Sequence, residues 1–168
     1  MRDWSGCQIA LFLDNGKDGK YNGMGLSARL YAGDVTNVDL DCVFPPIQGK
    51  GTLWKVTVTG EELLRTLEHA ISVGNHQTGW FYYFSGLRMT YAPQARPGAR
   101  VQAITLEDGS AIDMAAHYTV AVMENTVPAD AVTQVEKTDT TVRSIVEEAI
   151  RAAGTISPAK DGRFTIGR

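Results

Sequence analysis

Residues 53–71 read LWKVTVTGEELLRTLEHAI and carry the clearest structural signal in the chain. Residues 53–59 alternate around valine and threonine, a pattern typical of a half-buried strand. Thr59 then has the spacing of a capping box, in which its hydroxyl accepts from the amide of Glu62 while the Glu62 carboxylate reaches back to the cap amide. Leucines, alanine and isoleucine follow at helical spacing, so we predict a helix to about Val73. A strand that leads directly into an amphipathic helix indicates mixed α and β structure.

Outward from this stretch, short apolar or alternating runs predict further strands, and one more amphipathic stretch predicts a second helix. The predicted strands are 9–13, 80–84, 87–91, 101–106, 118–122 and 163–166. The helix has its apolar face at 142, 145, 146, 149, 150 and 153, begins at Asp139 or Thr140, and ends at Gly154. Residues 32–36 predict a turn that leads into a short helix or an extended stretch. We therefore expect one α+β domain over residues 1–168, with a mixed, largely antiparallel sheet packed with helices.

Composition excludes several classes of protein. The 168 residues include 16 Lys plus Arg and 19 Asp plus Glu, for a net charge of −3, and 43% of them are hydrophobic. These values are typical of a globular protein rather than a disordered or coiled-coil one. Because the chain is mildly acidic and has no basic run, we expect no nucleic-acid partner. The apolar runs are too short to span a bilayer, and residues 1–6 lack the apolar core of a signal peptide.

The cysteines and histidines form no recognisable metal-binding pattern. Cys7 and Cys42 allow at most one disulfide. Cys42 precedes an apolar pair and is interpreted as a small core residue, whereas the place of Cys7 and the redox compartment are left open. His69 is expected on the surface of the first helix and His117 facing solvent, and His76 lies in a predicted loop. We therefore predict no metal site and no catalytic residue within the chain, since both need several converging groups.

Two stretches could hold a ligand. Residues 14–25, rich in glycine, aspartate and asparagine, follow the first predicted strand, and exposed amides there could bind an anion or a planar group. The alternative is a plain surface turn. Residues 80–84 (WFYYF) could stack on bases or sugars. In a strand, however, Tyr82 and Phe84 face one way and Tyr83 the other, so one face is expected to be core.

The order of short motifs along the chain resembles the C-terminal domain of the 5′-nucleotidase and UDP-sugar hydrolase family. The resemblance covers nearly the whole length, and six motifs occur in the family's order. They are IAL at 9–11, AGDVT at 32–36, VTGEEL at 58–63, SGLRMTY at 85–91, YTVA at 118–121 and ISPAKDGR at 156–163. Each motif is weak alone, but the ordered set is specific.

This resemblance implies that catalysis and substrate binding belong to two different domains. In such enzymes an N-terminal metallophosphoesterase domain holds a pair of divalent metal ions and performs the hydrolysis. The C-terminal domain has no cofactor of its own and supplies the nucleotide pocket, with Arg and Asn contacts and two aromatic rings that clamp the base. Binding energy from the remote base would position the scissile phosphate. The resemblance also implies a periplasmic, secreted or cell-surface location.

The chain departs from the family at the binding positions. Residues 22–27 (NGMGLS) occupy the family's N-G-G-G-I-R slot, so Ser27 replaces the arginine and Arg29 is the nearest substitute. The Pro-Phe-Gly-Asn slot falls at 45–49 (PPIQG), and Asn125 stands where the second clamp ring is expected. The candidate substrate contacts are Asn22, Gly23, Gly25, Ser27, Arg29, Gln48 and Asn125.

The expected function is therefore a substrate-binding domain of a metallophosphoesterase that hydrolyses nucleotide-type phosphate esters. Its catalytic domain would lie outside these residues. One alternative is a non-catalytic module that binds a ligand or partner on the same scaffold. Another is a domain that accepts a different ester. The loss of two clamp rings and one arginine predicts weak binding of ordinary 5′-nucleotides, with a deficit on the order of 5 kcal/mol.

Overall fold

The computed structural model describes residues 1–13, 28–44, 51–73, 82–124 and 126–167. Helices and strands follow one another in this order: α1 (Arg2–Ser5), β1 (Ile9–Leu13), α2 (Asn37–Val43), β2 (Thr52–Thr59), α3 (Gly60–Val73), β3 (Tyr82–Ser85), β4 (Leu87–Tyr91), β5 (Val101–Leu106), β6 (His117–Met123), β7 (Gln134–Thr141), α4 (Val142–Ala153) and β8 (Phe164–Ile166). A 3-10 turn, Ala129–Ala131, precedes β7.

The strands form two sheets. The larger has five strands in the order β3-β1-β6-β2-β7, and the smaller has three in the order β5-β4-β8. In the larger sheet β1 and β6 run parallel and the other neighbours run antiparallel. In the smaller one β4 pairs antiparallel with β5 and parallel with β8. The predicted α+β class, with mixed and largely antiparallel pairing packed by helices, is confirmed.

Each face of the five-stranded sheet has its own hydrophobic core. On one face, Leu63 and Leu67 of α3 pack with Val56, Val120 and residues of the smaller sheet. On the other face, α4 and the residues that follow α1 cover the sheet. Their contacts are Val142, Ile145 and Cys7 with Ala10, Phe12, Leu53, Ala121 and Met123. Strand β1 is therefore buried on both sides, which explains why it is apolar throughout.

The β2–α3 junction forms where the sequence predicts it, with one of the two hydrogen bonds of the expected capping box. The Glu62 amide donates to the Thr59 hydroxyl at 3.2 Å, which is half of the expected capping box. The Glu62 carboxylate accepts from Arg65 Nε at 2.7 Å. Gly60 lies so close to another chain segment that a Cβ there would be 2.2 Å from the Asp113 carbonyl oxygen. The glycine of this motif is thus required by close packing.

Gly86 is the point at which the chain passes from one sheet to the other. It joins β3 to β4 with φ of +85°, a value that L side chains rarely adopt. The strand before it confirms the predicted alternation, because Tyr82 and Phe84 are buried whereas Tyr83 is half exposed. The aromatic run is therefore core on the face that carries Tyr82 and Phe84. Trp80 and Phe81 lie outside the described residues.

The C-terminal motif closes the smaller sheet. The Arg163 guanidinium donates from Nη1 to the Phe84 carbonyl at 2.7 Å, and the Met89 amide donates to the Arg163 carbonyl at 2.7 Å. Phe164 then stacks on Tyr91 with 4.7 Å between ring centroids. This motif holds the end of the chain against β3 and β4, a structural role.

Three expectations need correction. Strand β7 was not predicted, because it is an edge strand of mostly exposed polar residues without an apolar face. Since β7 continues to Thr141, helix α4 begins there, with Thr141 as its N-cap, rather than at Asp139 or Thr140. The interpretation of Cys42 as a core residue is wrong: Cys42 is exposed on α2, and Cys7 is the buried cysteine. Val43, the next residue, takes the buried position instead.

Candidate functional site

Four strand ends meet at one edge of the five-stranded sheet. Leu13, the last residue of β1, pairs with Tyr82, the first residue of β3. Met123, the last residue of β6, pairs with Leu53 near the start of β2. Since β1 and β6 run parallel and are neighbours, their carboxyl ends lie together. We call this the carboxyl edge.

Every stretch that carries a candidate contact residue joins the described chain at the carboxyl edge or beside it. Asn22, Gly23, Gly25 and Ser27 follow β1, Gln48 precedes β2, and Asn125 follows β6; all six lie outside the described residues. Their flanking residues converge on one place in the fold, although they are far apart in sequence. That convergence could not be derived from the motifs alone.

Arg29 is the one candidate contact within the described residues, and its side chain is exposed. It precedes α2, which begins with a complete capping box between Thr36 and Asp39. Hydrogen bonds from Thr36 hold the pKa of the Asp39 carboxyl below its usual value. The turn predicted at 32–36 therefore leads into a helix.

Helix α2 is fixed beside the carboxyl edge at two points. The Phe44 ring meets the Phe12 ring edge-on, with centroids 5.8 Å apart. Arg143 Nε at the start of α4 donates to the Asp41 carboxylate at 2.8 Å. The stretch that contains Arg29 is thus attached to the domain next to the edge where the other candidate stretches begin.

The residues on both sides of position 125 are held by hydrogen bonds. The Glu124 amide donates to the Thr52 carbonyl at 2.9 Å, and the Thr52 hydroxyl donates to the Glu124 carboxylate at 2.6 Å. On the other side, the Tyr82 hydroxyl donates to the Thr126 carbonyl. Both neighbours of Asn125 are therefore tied to strands that begin at the carboxyl edge.

A cleft of about 470 Å³ opens beside this edge, between α3 and segment 126–130. Its lining residues are Arg65, Thr66 and His69 from α3, Tyr82 from β3, and Thr126, Val127, Pro128 and Asp130. His69 is exposed on α3, as predicted, and so is His117 at the start of β6. Sequence reasoning named none of the cleft residues as a site, because α3 and segment 126–130 are separated by some sixty residues in sequence and only the fold brings them together.

The floor of the cleft is neutral. Tyr82 is buried, and desolvation raises the pKa of its hydroxyl to about 12. The same hydroxyl donates to the Thr126 carbonyl, and the Thr126 hydroxyl donates to the Met123 carbonyl at 2.5 Å. Tyr82 therefore stays protonated at any physiological pH, and the floor presents a ring and a satisfied hydrogen-bond chain.

The rim of the cleft pairs its charges. Arg65 Nη2 lies 2.6 Å from the Glu62 carboxylate and 3.4 Å from the Asp130 carboxylate. The hydrogen bond to Glu62, with its negative charge, raises the pKa of Arg65. Because one guanidinium faces two carboxylates, the positive charge of Arg65 is balanced within the domain.

The described residues contain neither a cluster of metal-binding side chains nor a helix that could span a membrane. Ranges 1–13, 28–44, 51–73, 82–124 and 126–167 contain no group of three or more His, Cys, Asp or Glu side chains placed to bind a metal ion. Within the same ranges, no helix has the length and apolarity needed to cross a bilayer.

The family model of the 5′-nucleotidase C-terminal domain matches residues 1–135. The chain belongs to this family. The match includes the carboxyl edge and the cleft, whereas most of β7, helix α4 and strand β8 lie beyond it. None of the curated protein sequences compared with the chain matches it.

Solved structures show the same fold at low sequence identity. The crystal structure of a 5′-nucleotidase precursor from Thermus thermophilus superposes with a TM-score of 0.81 at 22% identity, over 98% of this chain and 32% of that one. The NAD nucleotidase of Haemophilus influenzae gives 0.70 at 15% identity, over 95% and 30%. The sulfate thiohydrolase SoxB of Thermus thermophilus, in complex with glycerol, gives 0.68 at 16% identity, over 99% and 30%. The chain spans about a third of the length of each.

The structure explains four of the family motifs by contacts inside the domain. Gly60 and Gly86 are required by close approaches to backbone carbonyls, the Tyr118 hydroxyl accepts from the Asp113 amide at 2.9 Å, and Arg163 binds the Phe84 carbonyl. These motif residues stabilise the scaffold and lie away from the cleft. Membership of the family therefore fixes the fold of this domain.

Proposed function

We propose that this chain is the substrate-binding domain of a metallophosphoesterase that hydrolyses a phosphate ester of the nucleotide type. The observation that carries the proposal is membership of the 5′-nucleotidase C-terminal domain family over residues 1–135. The solved relatives add support, because this domain accounts for about a third of their length and two of them are named as nucleotidases.

In this proposal the domain binds and orients the substrate, and another domain breaks the bond. A pair of divalent metal ions in an N-terminal domain would supply the hydroxide and stabilise the charge that develops on the phosphoryl group. Asn22, Gly23, Gly25, Ser27, Arg29, Gln48 and Asn125 would provide polar contacts at the carboxyl edge. Binding energy from the organic part of the substrate would hold the phosphate near the metals. We also propose export from the cytoplasm, supported by the description of the Thermus protein as a precursor.

The direct test is enzymology of a longer protein from the same reading frame. We expect metal-dependent release of phosphate from at least one ester in a panel of nucleotides and simple phosphate esters. The upstream sequence should contain Asp-x-His, Gly-Asp-x-x-Asp and Asn-His motifs. The 168-residue chain alone is the control and should release no phosphate. Turnover by this chain alone, or a longer protein without these motifs, would contradict the proposal.

A second candidate function is the binding of a different ester. Ser27, Gln48 and Asn125 replace the family's arginine and clamp rings, and one structural relative is named as a sulfate thiohydrolase. A panel extended to sulfur-containing and non-nucleotide esters distinguishes this candidate from the first. If the longer protein cleaves none of them, a non-catalytic binding module becomes the better description.

Weak binding of ordinary nucleotides is expected for the isolated chain. Each stacked base–ring contact is worth about 1–3 kcal/mol, so two missing rings and one missing arginine lower affinity by several thousandfold. Isothermal titration calorimetry with AMP should therefore give a dissociation constant well above the micromolar range. A value in the low micromolar range would show that other residues have replaced the clamp.

A further inference from the structure

We propose that Arg143, in the first turn of α4, is a positioning residue for substrate binding: it fixes helix α2 to the domain and thereby holds the candidate contact stretches on either side of α2. Arg29 precedes this helix in the sequence, and Gln48 follows it. The inference rests on the proposed function, because it assigns a residue to the support of the proposed substrate contacts. Arg143 lies beyond residues 1–135, the range that the family model matches. Its role is therefore proposed for this chain and not for the family as a whole.

The Arg143 guanidinium connects α4 to both halves of α2. Its Nε donates to the Asp41 carboxylate at 2.8 Å, and its Nη2 donates to the Asn37 carbonyl at 3.5 Å. Its Nη1 donates at 3.0 Å to the carboxylate of Glu147, one turn further along α4. The Arg143 side chain is only 29% exposed. Each nitrogen of the guanidinium thus has an acceptor, and two of the three acceptors belong to α2.

Both charges of the Arg143–Asp41 pair lie at the unfavourable ends of their own helices. Arg143 is the second residue of α4, where the helix dipole favours negative charge. Asp41 is in the last turn of α2, where the dipole favours positive charge. Neither placement stabilises the helix that carries it. The contact between the two helices is what accounts for both placements.

Helix α2 depends on its contacts with the rest of the domain. It has seven residues, of which Leu40 and Val43 are buried, and a helix this short is not stable by itself. The aromatic ring directly after it packs on a ring of β1. These apolar contacts lie towards the end of the helix, whereas Arg143 also reaches Asn37, its first residue. Arg143 therefore holds the end of α2 that faces the Arg29 stretch in the sequence.

The place of α2 in the chain makes its attachment matter for a ligand. This helix stands between two candidate contact stretches, one that ends at Arg29 and one that contains Gln48. If α2 moves away from the domain, the stretches on both sides of it move as well. Substrate contacts then form only in the fraction of molecules in which α2 is attached. Loss of Arg143 should therefore weaken substrate binding without changing the chemical step.

Hydrogen exchange in the 168-residue chain tests whether Arg143 holds α2. Arg143→Glu places a carboxylate opposite Asp41 and Glu147, whereas a negative charge in the first turn favours α4 itself. We expect the amides of α2 to exchange about fivefold faster or more, while those of α3 stay within about twofold of the original chain.

Arg151→Glu is the matched control for this measurement. Arg151 also binds the Glu147 carboxylate, from Nε at 3.1 Å and Nη2 at 2.9 Å, but it lies about two turns further along α4 than Arg143. The same reversal of charge against the same glutamate should leave exchange in α2 unchanged. Equal exchange of α2 in the two variants would overturn the inference.

Kinetics of the longer protein test the link between α2 and the substrate. We expect Arg143→Glu to raise KM by about fivefold or more and to leave kcat within about twofold. The double variant Asp41→Arg, Arg143→Glu restores an attractive pair between the helices and should recover most of the loss in KM. An unchanged KM, or a double variant no better than Arg143→Glu, would overturn the inference. If the longer protein releases no phosphate from any ester, the proposed function fails, and hydrogen exchange still decides whether Arg143 holds α2.

Discussion

Replacement of Gly86 by alanine is expected to destabilise the domain by more than about 3 kcal/mol, a large share of the stability of a typical domain. A Cβ at this position would lie 2.2 Å from the carbonyl oxygen of Gln8, a distance at which backbone must move. The left-handed backbone, with φ of +85°, adds strain for any L side chain. Because Gly86 is the junction between the two sheets, a shift there disturbs both. Urea unfolding followed by circular dichroism measures the loss.

Gly98→Ala is the matched control. Gly98 has nearly the same φ, +86°, but nothing lies within 4 Å of the Cβ it would acquire. Only the backbone strain remains, so we expect a cost of about 1 kcal/mol. The difference between the two variants isolates the close approach to Gln8. If both variants lose the same stability, packing at the sheet junction is not what requires glycine at position 86.

The second large effect is expected for Glu68→Ala. The Glu68 carboxylate accepts three backbone N–H groups where the chain enters β5: Gly98 at 2.9 Å, Arg100 at 3.0 Å and Val101 at 2.6 Å. Hydrogen bonds to a charged acceptor contribute about 1.5–3 kcal/mol each, and their loss leaves the partly buried amides of Arg100 and Val101 without this partner. We expect a loss of about 2–4 kcal/mol in the free energy of unfolding.

Glu68 acts as a link between helix α3 and the smaller sheet, and two variants test that role. Glu68→Gln keeps one acceptor oxygen and should lose about half as much stability, because its amide NH2 cannot accept. Glu148→Ala removes an exposed glutamate from α4 and should change stability by less than about 0.5 kcal/mol. Thermal unfolding of the three variants should therefore rank Glu68→Ala lowest. A ranking in which Glu68→Ala equals Glu148→Ala would contradict the linking role.

Much of the fold could be predicted from local patterns, for physical reasons visible in particular elements. Strands β1 and β2 and helix α3 were predicted nearly to the residue, because each kind of burial leaves a local pattern. Burial on both faces gives the unbroken apolar run of β1, alternate burial gives the period of two in β2, and one buried stripe gives the helical period of α3. Strand β7 escaped prediction because one side of it is open to solvent and its residues are polar. The exposure of Cys42 was missed for a related reason: α2 buries Leu40 and Val43 and leaves the two positions between them exposed.

For the candidate site too, part could be predicted from the sequence and part could not. The motifs predicted which stretches carry the polar contact residues, and the topology then showed that those stretches join the chain at or beside the carboxyl edge. The cleft had no local signal. Arg65 and Asp130 are 65 residues apart in sequence, and neither belongs to a pattern that names a site.

By itself, the sequence determined the α+β class and the family, because periodicity and short motifs are local properties that single stretches of sequence reveal. Only the tertiary structure decided that the Glu62 and Asp130 carboxylates balance the charge of Arg65 beside the cleft. It also decided that Tyr82, which lines the same cleft, stays uncharged. Those properties arise from burial and from distances between segments remote in sequence. The pairing of β1 with β6 and with β3 brings these remote segments together. Strand pairing depends on the whole sheet rather than on any one stretch of sequence.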